Sequence, residues 1–345
     1  MSKRKILVIV LSLLVVVAAG TAYSLRGQIR AAIDTISGVD FEGVGSGSVN
    51  LVIEPGDTGE QVAEKLVELG VTKDFVFTYK RIIAVNPKFI PGTFKLRIGM
   101  SSDKALELIQ DPTSRLVSRV TVKEGLRISD VYKVLSDASG ISVAEFRDAS
   151  KDPTVFGLPK SLPNLDGYLF PATYELELGA TAKSVIQMMV DRMNVELEKF
   201  GVSNKDRHSV LTLASIVQKE ARITEDFYKV SRVFLNRIDQ GMRLQSDATV
   251  SYGSGGRTVT TTDAERADPN GYNTYVHDGL PIGPIGAPGS LAIDAALNPV
   301  DGKWLYFCAV NLQTGETVFS NDYAGHAIAV KQWQKWMREN PGWNG

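Results

Sequence analysis

The sequence predicts an α+β protein in three parts: an amino-terminal transmembrane helix, a small α+β subdomain and a larger α+β domain. Three observations carry this. An uncharged apolar stretch runs from Ile6 to Leu25, a strand-turn-helix pattern starts near Leu51 and again near Leu116, and helix-periodic segments alternate with glycine- and proline-rich loops. The chain has 345 residues, too many for one core of ordinary size, and its 43% hydrophobic and 22% charged residues are those of a folded chain. Lys and Arg number 38 against 39 Asp and Glu, so no net positive charge attracts a polyphosphate and a nucleic-acid partner is disfavoured. One cysteine and three scattered histidines provide neither a disulfide framework nor metal-ligand spacing, and no metal or organic cofactor is expected.

Ile6–Leu25 is long enough, at ~1.5 Å per residue, to cross a ~30 Å hydrocarbon layer. Lys3, Arg4 and Lys5 precede it, which favours an amino terminus in the cytoplasm and export of the rest. Residues 1–25 therefore read as a cytoplasmic tip and anchor. The small residues Ala18, Ala19, Gly20 and Ala22 leave a cleaved signal peptide as the alternative. Residues 26–50 read as a flexible linker, because 38–50 (GVDFEGVGSGSVN) has the glycine and serine content of a tether. Residues 51–115 form the small unit: an apolar run at Leu51, a Pro-Gly turn, a helix carrying Val62, Leu66, Val67 and Leu69 that stops at Gly70, and further segments at Phe75–Ile83, Gly92–Ile98 and Ser101–Ile109.

Residues 116–345 form the larger domain. A strand and helix follow Leu116, LDGYLFPATYEL is turn-rich and aromatic, and 182–200 is an amphipathic helix. His208–Ala221 (HSVLTLASIVQKEA) is apolar on nearly every side until a polar cluster at its end, so that helix is buried. At ~100° per residue Glu220 lies along the stripe of Leu213, Ile216 and Val217. Desolvation there favours the protonated acid, as a general acid near neutral pH requires. The alternative is a helix-end glutamate paired with Lys219, Arg222 or a distant arginine. VFLNRIDQGMRLQSDATVSYG and YNTYVHDGLPIGPIGAPGSLAIDAALNP are dense in amides, hydroxyls and rings, the groups that hold sugars, although Asn273 and Asp278 also suit turns. Cys308 in WLYFCAV reads as core in a buried strand, with QTGE as hairpin turn, and Val330, Trp333 and Met337 as the docking stripe of a last helix with Trp336 beside it.

These blocks, together with LTLASIVQKEA, WLYFCAVNLQTGETVFS and HAIAVKQW, resemble the MltG (YceG-like) endolytic murein transglycosylases over most of 116–340, and 51–112 is similar to the LysM-like subdomain of that family. The resemblance implies a membrane-anchored lyase on the extracytoplasmic side of the bacterial cell membrane. It would cleave the β-1,4 bond between N-acetylmuramic acid and N-acetylglucosamine inside peptidoglycan strands, leave 1,6-anhydro ends and terminate nascent strands beside a synthase partner. It assigns Glu220 as the catalytic residue. Gln245, Ser246, Asp247, Thr249, Asn273, Tyr275, Ser320 and His326 are the expected substrate contacts by block membership and polarity. Gln218, Asp166 and Ala172 stand where many members carry Glu, Glu and Asp, which leaves Asp247 as the best second carboxylate. A non-catalytic peptidoglycan-binding scaffold and a hydrolytic muramidase with Asp247 activating water are the competing readings.

Overall fold

The computed structural model describes residues 39–256 and 261–341. The predicted anchor at Ile6–Leu25 lies outside the described residues, and among those described no helix is long and apolar enough to cross a membrane. The chain is mixed α+β and divides into two compact units, Met1–Val117 and Ser118–Gly345.

In the first unit, β1 (Val44–Ile53) pairs antiparallel with β2 (Gly92–Met100), with Leu51 opposite Phe94 and Val49 opposite Leu96. Half of the stretch read as a tether is thus strand. Its glycines serve a bulge between Ser46 and Val49 rather than flexibility. Gly45 has φ +67°, and a Cβ there would meet the Ile98 carbonyl oxygen at 2.5 Å, so the composition that mimics a linker is what this close approach requires. The helices α1 (Gly59–Glu68), α2 (Phe75–Val85) and α3 (Ser102–Gln110) form around this ribbon for local reasons. Thr58 and Gln61 make a capping box at α1, and Asp74 and Ser101 cap α2 and α3. Gly70, at φ +66°, follows α1 and donates to the Val67 carbonyl, the expected glycine stop. Leu51, Leu66, Phe94, Leu96 and Leu106 close the core of this unit. Each such side chain contributes about 1.5–3 kcal/mol by its burial.

In the second unit, β3 (Val117–Thr121) leads to α4 (Ile128–Ser139) and α5 (Val143–Ala149), and β3 pairs with β4 (Thr173–Glu177). Next come α6 (Ala182–Lys199), α7 (Arg207–Glu220), α8 (Thr224–Asp239), α9 (Asp247–Gly253), α10 (Asp263–Ala267) and α11 (Ser290–Leu297). The hairpin of β5 (Tyr306–Asn311) and β6 (Glu316–Ser320) and the last helix α12 (Tyr323–Glu339) end the fold. As its sequence predicts, α7 is buried without interruption from Leu211 to Val217. Three loops meet beside it. Gly167, at φ +80°, takes Pro284 where a Cβ would stand only 2.4 Å from the ring. Gly125 and Leu126 exchange main-chain hydrogen bonds with Ala287, and Ser215 on α7 accepts from the Ile285 amide.

The carboxyl-terminal hairpin corrects two expectations. Cys308 is half-buried, not core, and on β5 only Val310 is buried. A two-stranded ribbon has one strand neighbour, so an apolar run of this length need not be enclosed on both faces. On α12 the buried residue is Ala329, while Val330, Trp333, Trp336 and Met337 are half-buried.

Candidate active site

Glu220 is the last residue of α7, and Ala221 leaves the helix in extended conformation. Its side chain is half-buried on the wall of a cavity of about 550 Å³ that lies wholly within the second unit. Burial is the leading cause that raises the Glu220 pKa above 4.5, and the charge of Asp247 adds to it. The negative end of the α7 dipole acts in the same sense. Against these, the Ser246 hydroxyl donates to Glu220 Oε1 at 2.6 Å, and the Ala248 amide and Arg237 also favour the carboxylate. The desolvation prevails, so Glu220 is an acid that holds its proton to higher pH than an ordinary glutamate.

The arginine-paired alternative fails on geometry. Arg237 is 7% exposed and donates Nε to the Leu305 carbonyl at 2.7 Å and Nη1 to the Leu244 carbonyl at 2.6 Å, with its plane over the Tyr306 ring. Its Nε and Nη1 are engaged with main chain, no salt bridge among the described residues joins it to Glu220, and it acts there through its charge.

Ser246 is itself held in place. Its amide donates to Thr274 Oγ1 at 3.1 Å, Thr249 Oγ1 donates to the Ser246 carbonyl at 2.7 Å, and the two threonine hydroxyls meet at 2.8 Å. The preceding Gln245 is exposed, lines the cavity and has φ +50°, a left-handed conformation that a non-glycine residue adopts at a cost of ~1–2 kcal/mol. Asp247 Oδ1 accepts from Thr261 Oγ1 at 2.7 Å and from the Tyr275 hydroxyl at 2.9 Å, and lies 3.5 Å from Arg266 Nε. Burial and Asp247 push the Tyr275 hydroxyl up to about 12, so it remains a donor.

The structure brings Glu220, Gln245, Ser246, Asp247, Tyr275 and His326 to one cavity. Three expected contacts do not line it. Thr249 is fully buried in the threonine clamp. Asn273 is fully buried as well; its Nδ2 donates to the carbonyls of Glu265, Arg266 and Asp268, and its Oδ1 accepts from the Tyr275 amide. That amide is therefore a loop organiser with no group left for a sugar. Ser320 is buried at the end of β6, where its carbonyl accepts from Leu305.

Sequence reasoning missed Arg127, Lys219, Arg237, Tyr306 and Tyr323, all of which line the cavity. Arg237 had a signal: it continues the apolar stripe of Val230, Val233 and Phe234 on α8, and a cation in such a stripe must find partners inside. Tyr306 stacks on His326, ring centroids 5.2 Å apart, and Tyr323 meets both edgewise or tilted, forming an aromatic shelf. Among the described residues no group of three His, Cys, Asp or Glu could hold a metal ion.

A family model described as the YceG-like family matches residues 51–332, more than half of the chain. The chain belongs to the YceG-like family. The chain is similar to the endolytic murein transglycosylase of Bacillus subtilis strain 168, 29% identical over 83% of this chain and 85% of its own length, and to that of Streptococcus pneumoniae D39, 27% identical over 81% of this chain. The chain spans 57% of the length of the pneumococcal protein. A crystal structure of a yceG-like protein from Listeria monocytogenes superposes on 82% of this chain and 99% of its own, with TM-score 0.56 and 27% identity. The family match runs across both units, and every cavity residue except those preceding position 51 or following 332 would fall inside it; Arg127 to His326 all do.

Proposed function

We propose that this protein is a peptidoglycan lytic transglycosylase that cuts within glycan strands, with Glu220 as its acid and base. The observation that carries the reading is a glutamate with a raised pKa on a polar, aromatic-walled cavity, oriented by the Ser246 hydroxyl. With Oε1 held by Ser246, Oε2 delivers its proton to the glycosidic oxygen as the bond from C1 of the muramic acid breaks. The substrate's own C6 hydroxyl attacks C1 and forms the 1,6-anhydro ring, and the Glu220 carboxylate takes the proton from O6. No water enters the balance. One carboxyl group suffices because the attacking hydroxyl is tethered to the reacting sugar, at high effective concentration. Asp247 supports the acid by its charge, and its three partners, all on Oδ1, hold that carboxylate in place.

Mass spectrometry of digested strands tests this directly: anhydro ends are expected, and reducing ends, heavier by one water, would indicate a muramidase instead. Products of neither kind would leave the scaffold reading. The pH profile supplies a second check. Because the reactive form is the protonated acid, kcat/KM falls as pH rises through the Glu220 pKa. Asp247 raises that pKa, so Asp247→Asn is expected to move the alkaline limb to lower pH. Tyr323 is 70% exposed beside Tyr306 and His326, placed to stack on a sugar face. Tyr323→Ala is expected to raise KM about 3–10-fold with little change in kcat, measured on strands of defined length.

The finer assignments stay with this reading. Ile6–Leu25 would anchor the chain, with both units outside the membrane, and so restrict cleavage to strands near its surface. Residues 51–115 would serve as the LysM-like glycan-binding subdomain. A role in ending nascent strands would bring a peptidoglycan synthase as partner, and co-purification with and without residues 1–25 tests that association.

A further inference from the structure

The backbone turns left-handed at Gln245, and the hydrogen bonds around it show what the turn is for. The Gln245 amide donates to the Thr274 carbonyl at 3.1 Å, and the next amide, that of Ser246, donates to Thr274 Oγ1 at 3.1 Å. Arg237 Nη1 holds the Leu244 carbonyl on the other side. Two successive amides that reach the same residue need the chain to turn between them. With the turn made, the Ser246 hydroxyl meets Glu220 Oε1 at 2.6 Å. Glycine makes such a turn without steric cost, whereas any residue with a Cβ makes it under strain. A side chain at position 245 thus adds strain that this arrangement does not need. The protein makes no polar use of it either. Among the described residues the Gln245 carboxamide has no hydrogen-bond partner, and it stands exposed on the cavity wall between Leu244 and Ser246, which are both buried. Elsewhere on the wall polar groups are tied into the fold. Arg127 lies over the Tyr252 ring and donates Nη2 to Ser251 Oγ at 3.3 Å. The Tyr252 hydroxyl donates to Asp166 Oδ2 at 2.6 Å, and Asp166 Oδ1 accepts from the Ile128 amide at 2.8 Å.

We propose that Gln245 is a specificity residue whose carboxamide binds the 2-acetamido group of a sugar at the scissile bond, so that the strain at this position serves substrate recognition. The inference rests on the peptidoglycan reading above and adds to it a preference for N-acetylated over de-N-acetylated strands. The chemistry of the strand leaves few other partners. Glycosidic links occupy O1 and O4 and the lactyl ether occupies O3 of muramic acid, so hydroxyls remain only at C6 and, on glucosamine, at C3. The amide at C2 is common to both sugars and adjacent to C1, where the bond breaks. A neutral carboxamide matches it, as donor to its carbonyl or as acceptor from its N–H. The place of Gln245 in the chain agrees, since the next residue, Ser246, holds the acid that protonates the oxygen on C1. An ammonium in place of the acetamido group would meet a Glu220 held protonated, an Asp247 that already lies 3.5 Å from Arg266, and the charge of Arg237.

The test uses the full-length protein and two pools of the same strands, one fully N-acetylated and one treated with a deacetylase. The wild type is expected to cleave the N-acetylated pool with kcat/KM at least ~10-fold above the other, as the loss of one well-placed hydrogen bond at a buried reacting centre requires. Gln245→Gly separates the side chain from the backbone, because glycine keeps the left-handed turn and with it the Ser246 contact. This variant is expected to melt at or above the wild-type temperature, relief of strain offsetting the added freedom of the unfolded chain. On N-acetylated strands it should lose about 10-fold in kcat/KM, chiefly through KM, and on de-N-acetylated strands it should change little, so the ratio between pools collapses. Gln245→Asn, which tolerates the left-handed region and keeps a shorter carboxamide, should fall between the two. A glycine variant as active as the wild type, one that loses the same factor on both pools, or one that melts clearly lower would overturn the proposal and leave the enzyme reading intact. Equal rates of the wild type on both pools would do the same. A wild type that cleaves neither pool would overturn the enzyme reading and this inference with it.

Discussion

Glu220→Gln is expected to lower kcat by about 10³–10⁴-fold, at the upper end of what a single acid-base group supplies, while the chain folds as before. The amide keeps the shape of the side chain and can still accept from Ser246 Oγ, but it has no proton of useful acidity to give. Because burial disfavours the charged form of Glu220 and no salt bridge among the described residues includes it, replacing it with a neutral group removes no stabilising ion pair, and thermal unfolding should move by no more than about 1–2 °C. Loss of cleavage together with loss of fold would point to a structural glutamate instead. Separate measurements of cleavage and of thermal unfolding on the same preparation distinguish the two outcomes.

The second large effect is on stability. Arg237→Ala removes the donors that satisfy the Leu305 and Leu244 carbonyls, and it takes away the cation over the Tyr306 ring. Buried carbonyls stripped of charged donors cost about 1.5–2 kcal/mol each, so a loss of about 3–4 kcal/mol follows, roughly 10 °C in the midpoint of the second unit. Because Leu305 precedes β5 and Leu244 precedes Gln245, the same substitution loosens two walls of the cavity, and activity should fall even at temperatures where the protein is folded. Calorimetry with parallel cleavage assays checks both parts. A variant as stable as the wild type would show that water replaces the guanidinium at no cost.

Much of this site was legible in the sequence, for physical reasons that also explain the failures. The helix α7 announces itself because residues 211–217 are apolar or small on every side, and a polar cluster at the end of such a helix has only a cavity to face. Glu220 and its neighbours at Gln245, Ser246 and Asp247 therefore come together as expected. Thr249 and Asn273 show the limit of reasoning from polarity: a hydroxyl or amide that binds sugar and one that ties its own loop are the same residue type in the same kind of loop. Only the pairing of Asn273 with the carbonyls of Glu265, Arg266 and Asp268 separates them. The strand β1 was hidden by Gly43, Gly45 and Gly47, all with positive φ, which give a bulged edge the composition of a tether. Arg127, Asp166 and Tyr252 were invisible as a group because 38 to 124 positions separate the partners that their fold brings together.

The most direct test of the proposed chemistry is the titration of Glu220 itself, followed as the carboxyl stretching band in the infrared difference between wild type and Glu220→Gln. A protonated carboxyl band that persists well above pH 4.5, and moves to lower pH in Asp247→Asn, is the predicted result. A Glu220 already ionised at or below pH 4.5 would contradict it, since such a group has no proton to deliver at the pH where the wall is built.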